Sequence, residues 1–200
     1  NFKLIEKIGN LGISTPISYG GGINKSDDAT SIIKMGFERI IVNQLFLNNN
    51  DEMIIEIAKK IGSQAIIISL PVIKSYKKIF LYDYINKKEL RFDNKKLAKI
   101  EPFYSELLIE DVKNEGMLDA FDKEILTFFK KQNLRNKFLL FGGITEPKTI
   151  FELLLENQVE GICIGNSLNY KENAVQIIKK FIINKNLKLV RTPHFQKNIL

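Results

Sequence analysis

Short apolar runs alternate with amphipathic segments along most of this chain. The runs are nearly continuous, which is typical of strands buried on both faces of a parallel sheet, and they cover residues 16–19, 39–43, 64–70, 106–110, 138–141 and 161–164. Segments with helical spacing cover residues 2–8, 26–36, 51–61, 94–100, 119–131, 147–156 and 172–183. We predict Ser26 as a helix N-cap and Pro71 as the end of the third strand. The alternation predicts an α/β fold, with helices outside a parallel sheet.

One insertion interrupts the alternation. Residues 79–84 and 89–92 flank Asn86-Lys87, and this pattern predicts a surface β-hairpin after the third strand. The length of 200 residues suits a single domain over residues 1–200. Residues 185–200 are predicted to be a loosely structured tail, on which the lone His194 is a surface residue.

Two strands end in the same glycine signal. Gly21-Gly22-Ile23 and Gly142-Gly143-Ile144 are each followed by a helix and then by an apolar strand, with one extra residue in the second copy. Glycines let backbone N–H groups approach an anion, and a helix N-terminus adds partial positive charge. Two such turns predict two phosphate cradles, hence a ligand with a phosphate at each end. The alternative is that the duplication persists for structural reasons alone.

Composition narrows the class of protein. Hydrophobic residues make up 44% and charged residues 26%, as in ordinary globular proteins. The net charge of +7 is spread over helix faces and loops without interleaved aromatics, which argues against a nucleic-acid-binding module. Cys163 is the only cysteine, so we expect no internal disulfide, a cytoplasmic location, and a buried apolar role for that residue. We expect no membrane segment, metal or cofactor.

Four stretches carry a resemblance to a known family. Residues 17–23, 39–43 and 106–109, together with Gly62-Ser63-Gln64-Ala65 at the opening of a strand, resemble the cyclase subunit of imidazole glycerol phosphate synthase. The resemblance runs from residue 3 to about residue 190. It implies a (βα)8 barrel of histidine biosynthesis, a lyase whose active site lies at the C-terminal ends of the strands. It also implies a ribonucleotide substrate with two phosphates, and ammonia supplied by a glutaminase subunit docked on the opposite face.

The resemblance assigns site residues by position. It places one phosphate at Gly21, Gly22, Asn43 and Gln44, and the other at Glu115, Gly116, Gly142, Gly143, Gly165 and Asn166. Arg39 and Glu106 each begin an apolar strand and match two members of the charged gate through which ammonia enters. The alternative is that both side chains reach solvent at the starts of their strands.

Several positions depart from the family. The chain supplies six barrel strands, so we predict an incomplete barrel that lacks the first strand and its catalytic aspartate. The chain begins with Asn inside a predicted helix, from which we expect a missing N-terminal part. Pro71 occupies the position of the second catalytic aspartate and cannot transfer a proton. Glu110, Asp111 and Lys113 are candidates for a substituted catalytic set, or else form a solvated ion-pair cluster on a loop.

Three functions remain open at this point. The first is the synthase subunit of a glutamine amidotransferase, either in histidine biosynthesis or as a paralogue that amidates a nucleotide-linked sugar for surface glycans. The second is a non-catalytic barrel that keeps its phosphate cradles and glutaminase-docking face. The third is a basic nucleic-acid-binding module.

Overall fold

The computed structural model describes residues 2–185. The strands are β1 (Ser18–Gly20), β2 (Arg39–Val42), β3 (Ile66–Ser75), β4 (Lys78–Asp83), β5 (Lys88–Arg91), β6 (Glu106–Asp111), β7 (Lys137–Phe141) and β8 (Val159–Ile162). The helices are α1 (Phe2–Gly9), α2 (Ser26–Lys34), α3 (Gln44–Leu47), α4 (Asp51–Ile61), α5 (Asn94–Ile100), α6 (Lys123–Lys130), α7 (Pro147–Leu154) and α8 (Ala174–Asn184). The predicted tail and His194 lie outside the described residues.

Six parallel strands form the body of the sheet, in the order β1-β2-β3-β6-β7-β8. Helices separate successive strands along the chain, and the sheet curls into part of a barrel. A closed barrel of this type needs eight strands, so the predicted incomplete (βα)8 architecture is confirmed. The predicted hairpin is confirmed as β4 and β5, and β4 also pairs antiparallel with the second half of β3.

The two faces of the sheet differ in exposure. Side chains that point toward the helices are fully buried, including Ile40, Leu107 and Leu140. Their neighbours on the barrel face, such as Leu108 and Leu139, are half-buried. Because six strands do not close a barrel, β1 and β8 are edge strands and the barrel face is only partly covered. The core therefore lies mainly between the sheet and its helices, where each large buried side chain contributes roughly 1.5–3 kcal/mol.

The predicted end of the third strand is wrong. Pro71 lies inside β3, which continues to Ser75. The last residue of β3 that pairs with β2 is Ile68, and the first that pairs with β4 is Val72. Pro71 falls between these ladders, so its missing N–H removes no strand hydrogen bond on that side.

Three local predictions also need correction. Ser26 is the first residue of α2 rather than its N-cap, and its buried hydroxyl donates to Glu56 at 2.5 Å. The helix predicted over 119–131 begins only at Lys123, because Asp122 caps it by accepting from the Glu124 N–H at 2.9 Å. Residues 63–65 form a 3-10 turn before β3 instead of the opening of the strand.

Candidate functional site

A cavity of about 570 Å³ lies at the C-terminal ends of β1, β2, β3 and β6. The glycine turn after β1 forms one wall, with Gly21 and Gly22 at φ of 133° and 67°. All four residues predicted for the first cradle line it: Gly21, Gly22, Asn43 and Gln44. Its further lining includes Ser69, Pro71, Tyr84 and Glu110. We refer to this space as the first cavity.

The amides of Asn43 and Gln44 hold the first cavity together. Asn43 Nδ2 donates to the Ser69 carbonyl at 2.9 Å, which ties the end of β2 to β3. Gln44 Nε2 lies 3.3 Å from Asn43 Oδ1 and 3.4 Å from Asp83 Oδ1, and so connects this loop to the hairpin. Each of the two side-chain amide nitrogens thus donates at least one hydrogen bond within the protein.

Glu110 faces the first cavity from the end of β6. Its Oε1 accepts a hydrogen bond of 2.8 Å from the Tyr84 hydroxyl. Burial raises the pKa of the Glu110 carboxyl above its usual range, the Tyr84 hydrogen bond opposes that rise, and the negative charge of Glu115 adds to it. A carboxyl held this way is protonated at a higher pH than an exposed one.

The side chains of Asp111 and Lys113 do not lie beside Glu110 in the first cavity. Asp111 is buried on the helix side of β6, where Oδ2 accepts from the Asp122 N–H at 2.9 Å and from Asn114 Nδ2 at 2.7 Å. Lys113 Nζ donates to the Lys74 carbonyl at the end of β3, at 2.6 Å. The three side chains are therefore apart among residues 2–185, because Glu110 and Asp111 are successive strand residues that point to opposite faces and Lys113 lies beyond the end of β6.

A second cavity, of about 320 Å³, lies at the C-terminal ends of β7 and β8. Its lining includes all six residues predicted for the second cradle: Glu115, Gly116, Gly142, Gly143, Gly165 and Asn166. Asn166 Nδ2 donates to the Gly116 carbonyl at 3.2 Å, which holds the two loops together. Cys163 also lines this cavity instead of lying within β8, and burial raises the pKa of its thiol to about 11.

Sequence reasoning missed two residues of these cavities. The Ser167 hydroxyl lines the second cavity, is 6% exposed as a residue, and has no hydrogen-bond partner within the described chain. Its position directly after Gly165-Asn166 was a usable signal. Tyr84 gave no such signal, because only the folding of the hairpin over β3 brings its hydroxyl to Glu110.

The two cavities share an electrostatic character. In the described part of the chain, the backbone N–H groups of Gly22 and Gly143 donate to no protein acceptor. Among residues 2–185, no lysine or arginine lines either cavity. An anion in either place would therefore be held by backbone N–H groups and side-chain hydroxyls. Residues 2–185 hold no cluster of three metal-ligating side chains.

The two predicted gate residues meet at the opposite end of the sheet. Arg39 at the start of β2 and Glu106 at the start of β6 form an ion pair across β3, with Nη1 and Oε1 2.5 Å apart. Glu106 is buried, and Ser105 donates a further hydrogen bond to its other oxygen. A buried carboxylate is costly unless it is paired, so these contacts explain how a charge is tolerated at the N-terminal end of the strands.

Comparison with known proteins identifies a family and relatives of similar sequence. A family described as histidine biosynthesis protein matches residues 1–174. Imidazole glycerol phosphate synthase subunit HisF of Nitrosopumilus maritimus is 24% identical, over 92% of this chain and 75% of its own. An isomerase of Methanococcus maripaludis, named for an imidazole-4-carboxamide with two phosphoribosyl groups, is 30% identical over 82% of this chain and 68% of its own. In the described residues, no helix combines the length and apolar character needed to cross a membrane.

Proposed function

Because this chain belongs to the family of histidine biosynthesis proteins, we propose that it binds a small molecule with a phosphate at each end, one in each cavity. The carrying observation is the pair of glycine turns, which present free N–H groups at the same end of one sheet. The isomerase relative, named for a compound with two phosphoribosyl groups, supports this substrate class. The family resemblance of the glycine turns supports the same class.

The proposed reaction is that of a synthase subunit of a glutamine amidotransferase, as in imidazole glycerol phosphate formation. Ammonia from a glutaminase partner would enter at the Arg39–Glu106 end of the barrel and reach the substrate at the opposite end. Relatives named as imidazole glycerol phosphate synthase subunit HisF support this type of reaction. The Arg39–Glu106 ion pair supports it as well, because it places paired charges, one of them buried, at the end where ammonia would enter.

Binding is tested by calorimetry on the full chain. We expect a pentose bisphosphate to bind at least tenfold more tightly than the matching monophosphate, because only the bisphosphate fills both cavities. Equal affinities would contradict the two-cradle proposal. A Gly22→Ala variant tests the first cavity, since its added methyl group meets no heavy atom within 4 Å and the substitution strains only the backbone of the glycine turn.

The reaction is tested by turnover of the two-phosphate ribonucleotide with ammonium salt, and again with glutamine and the glutaminase subunit. Product from both sources supports the synthase role. Turnover of a nucleotide-linked sugar instead would assign the chain to the glycan paralogue. A substrate rearranged without ammonia would favour an isomerase, which the Methanococcus maripaludis relative makes the second candidate. Bisphosphate binding without any turnover would favour the non-catalytic barrel.

A further inference from the structure

The residue directly beside Pro71 in the sheet is Glu110. Pro71 and Glu110 are register partners in the parallel pair of β3 and β6, which places their backbones about 4.8 Å apart. Both line the first cavity, and Glu110 is the one carboxylate among its described lining residues. A carboxyl group is therefore available in this cavity, one strand over from the proline.

Tyr84 fixes the orientation of Glu110. The tyrosine hydroxyl donates to Glu110 Oε1, and its ring packs edge-on against Tyr82, with ring centroids 5.2 Å apart. Asp83 holds the turn that follows, by accepting from the backbone N–H groups of Ile85 and Asn86 at 3.0 and 3.1 Å. The hairpin thus delivers a hydroxyl to one oxygen of the carboxyl group and leaves the other oxygen without a protein donor in the described chain.

The other titratable groups near this cavity suit proton transfer less well. Burial raises the pKa of the Tyr84 hydroxyl further from neutrality, and that of the Cys163 thiol to about 11. Glu115 faces Glu110 from the loop after β6, where its charge favours the protonated form of Glu110. Burial raises the pKa of the Glu110 carboxyl in the direction of neutral pH. A general acid works best when its pKa lies near the pH of the reaction.

We propose that Glu110 is the general acid–base residue of the first cavity and that Tyr84 positions it. This rests on the proposed binding of a phosphate-bearing substrate there. Neutral Glu110 gives its proton to an oxygen or nitrogen of the substrate and becomes a carboxylate, which the Tyr84 hydroxyl stabilises by its hydrogen bond. A proton taken from the substrate or from water in the open cavity then restores the acid. No other atom changes its bonding in this step.

The kinetic test compares Glu110→Gln with Glu160→Gln, the same chemical change at an exposed position of β8. With ammonium salt and the two-phosphate ribonucleotide, E110Q should lose at least 100-fold in kcat, with KM and bisphosphate affinity within about threefold, because the amide keeps the shape and the accepted hydrogen bond. E160Q should match the unchanged chain. An E110Q variant that keeps more than a third of kcat would overturn the proposal.

The Tyr84→Phe variant tests whether the Tyr84 hydroxyl positions Glu110 or only supports the fold. Loss of its hydrogen bond removes the influence that lowers the Glu110 pKa. The Glu110-dependent limb of the pH profile of kcat/KM should then move to higher pH, while the profile of E160Q stays in place. An unmoved limb in Y84F would overturn the positioning role.

A measurement without substrate keeps the inference distinct from the proposed function. Titration of 13C-glutamate-labelled chain, with E110Q to assign the signal, should show a pKa for Glu110 that is raised above the usual value of 4.5. E110Q should also gain stability over the unchanged chain as pH rises above about 4.5, because only the latter must ionise a buried carboxyl. If no substrate turns over, the proposed synthase function fails, and an ordinary Glu110 titration would then overturn this inference too.

Discussion

The two cavities arise from the same glycine signal but differ in what lies behind the turn. At Gly22 an added methyl group would meet no heavy atom within 4 Å, whereas at Gly143 it would lie 2.7 Å from the Asn114 carbonyl oxygen. The second turn is packed against the loop after β6, and the first faces open space. The glycine turn at Gly143 is therefore required for packing and also borders a cavity, whereas the turn at Gly22 mainly borders a cavity.

The chemistry of the two linings differs as well. The first cavity contains a carboxyl group, Glu110, with a tyrosine hydroxyl on it. The second also contains a carboxyl group, Glu115, together with Ser167, a buried hydroxyl that has no protein partner among the described residues. A partnerless buried hydroxyl is costly unless something binds it. The first cavity therefore differs by the tyrosine hydrogen bond that orients its carboxyl group, and the second by a hydroxyl that is available to an anion.

The largest expected effect comes from a matched pair of glycine substitutions. Gly143→Ala places a methyl group against the Asn114 oxygen at φ of 66°, and should destabilise the chain by about 2–4 kcal/mol. Gly22→Ala has almost the same φ, 67°, but meets no neighbour, so only the backbone strain of about 1–2 kcal/mol applies.

Urea unfolding of both variants measures this difference. Equal losses of unfolding free energy would show that the second turn is not packed as described. Gly142→Ala extends the series, because its methyl group would lie 2.5 Å from the Asp111 carbonyl oxygen.

The next largest effect concerns affinity in the second cavity. Ser167→Ala removes the partnerless hydroxyl, and should weaken binding of inorganic phosphate or of a bisphosphate about tenfold, since a hydrogen bond to a charged ligand contributes about 1.5 kcal/mol or more. Stability should stay the same or rise slightly, because no protein hydrogen bond is lost.

Ser31→Ala is the control for this affinity change. Its exposed hydroxyl donates to the Asp27 carbonyl in α2, away from both cavities. Calorimetric affinity should be unchanged in that variant, and equal affinities in S167A and S31A would contradict a role for Ser167 in binding.

The sequence was sufficient to predict the order of strands and helices, because each strand carries its own apolar run and each helix its own period. It also located both glycine turns, whose local signals need no distant partner. Pro71 was placed wrongly at a strand end, because its tolerance within β3 depends on where β2 stops pairing and β4 starts. Tyr84 was missed for a related reason: its role depends on a hairpin folding back over the sheet.

The smallest effect concerns the hairpin, which only the first cavity possesses. Asp83 is buried, and the Asn86 side-chain amide, followed by backbone N–H groups and Gln44, holds the pKa of its carboxyl below the usual 3.8. A carboxyl with a depressed pKa stabilises the fold above its ordinary pKa, and this contribution is lost as pH falls through the lower folded value.

Asp83→Ala should cost about 1 kcal/mol at pH 7, as loss of a capping carboxyl does. Asp83→Asn keeps an accepting oxygen and should lose less at pH 7, yet its unfolding free energy should fall less steeply below pH 4. Parallel urea titrations at pH 7 and pH 3 measure both, and an acid dependence as steep in D83N as in the unchanged chain would show that the hairpin is held by packing rather than by this charge.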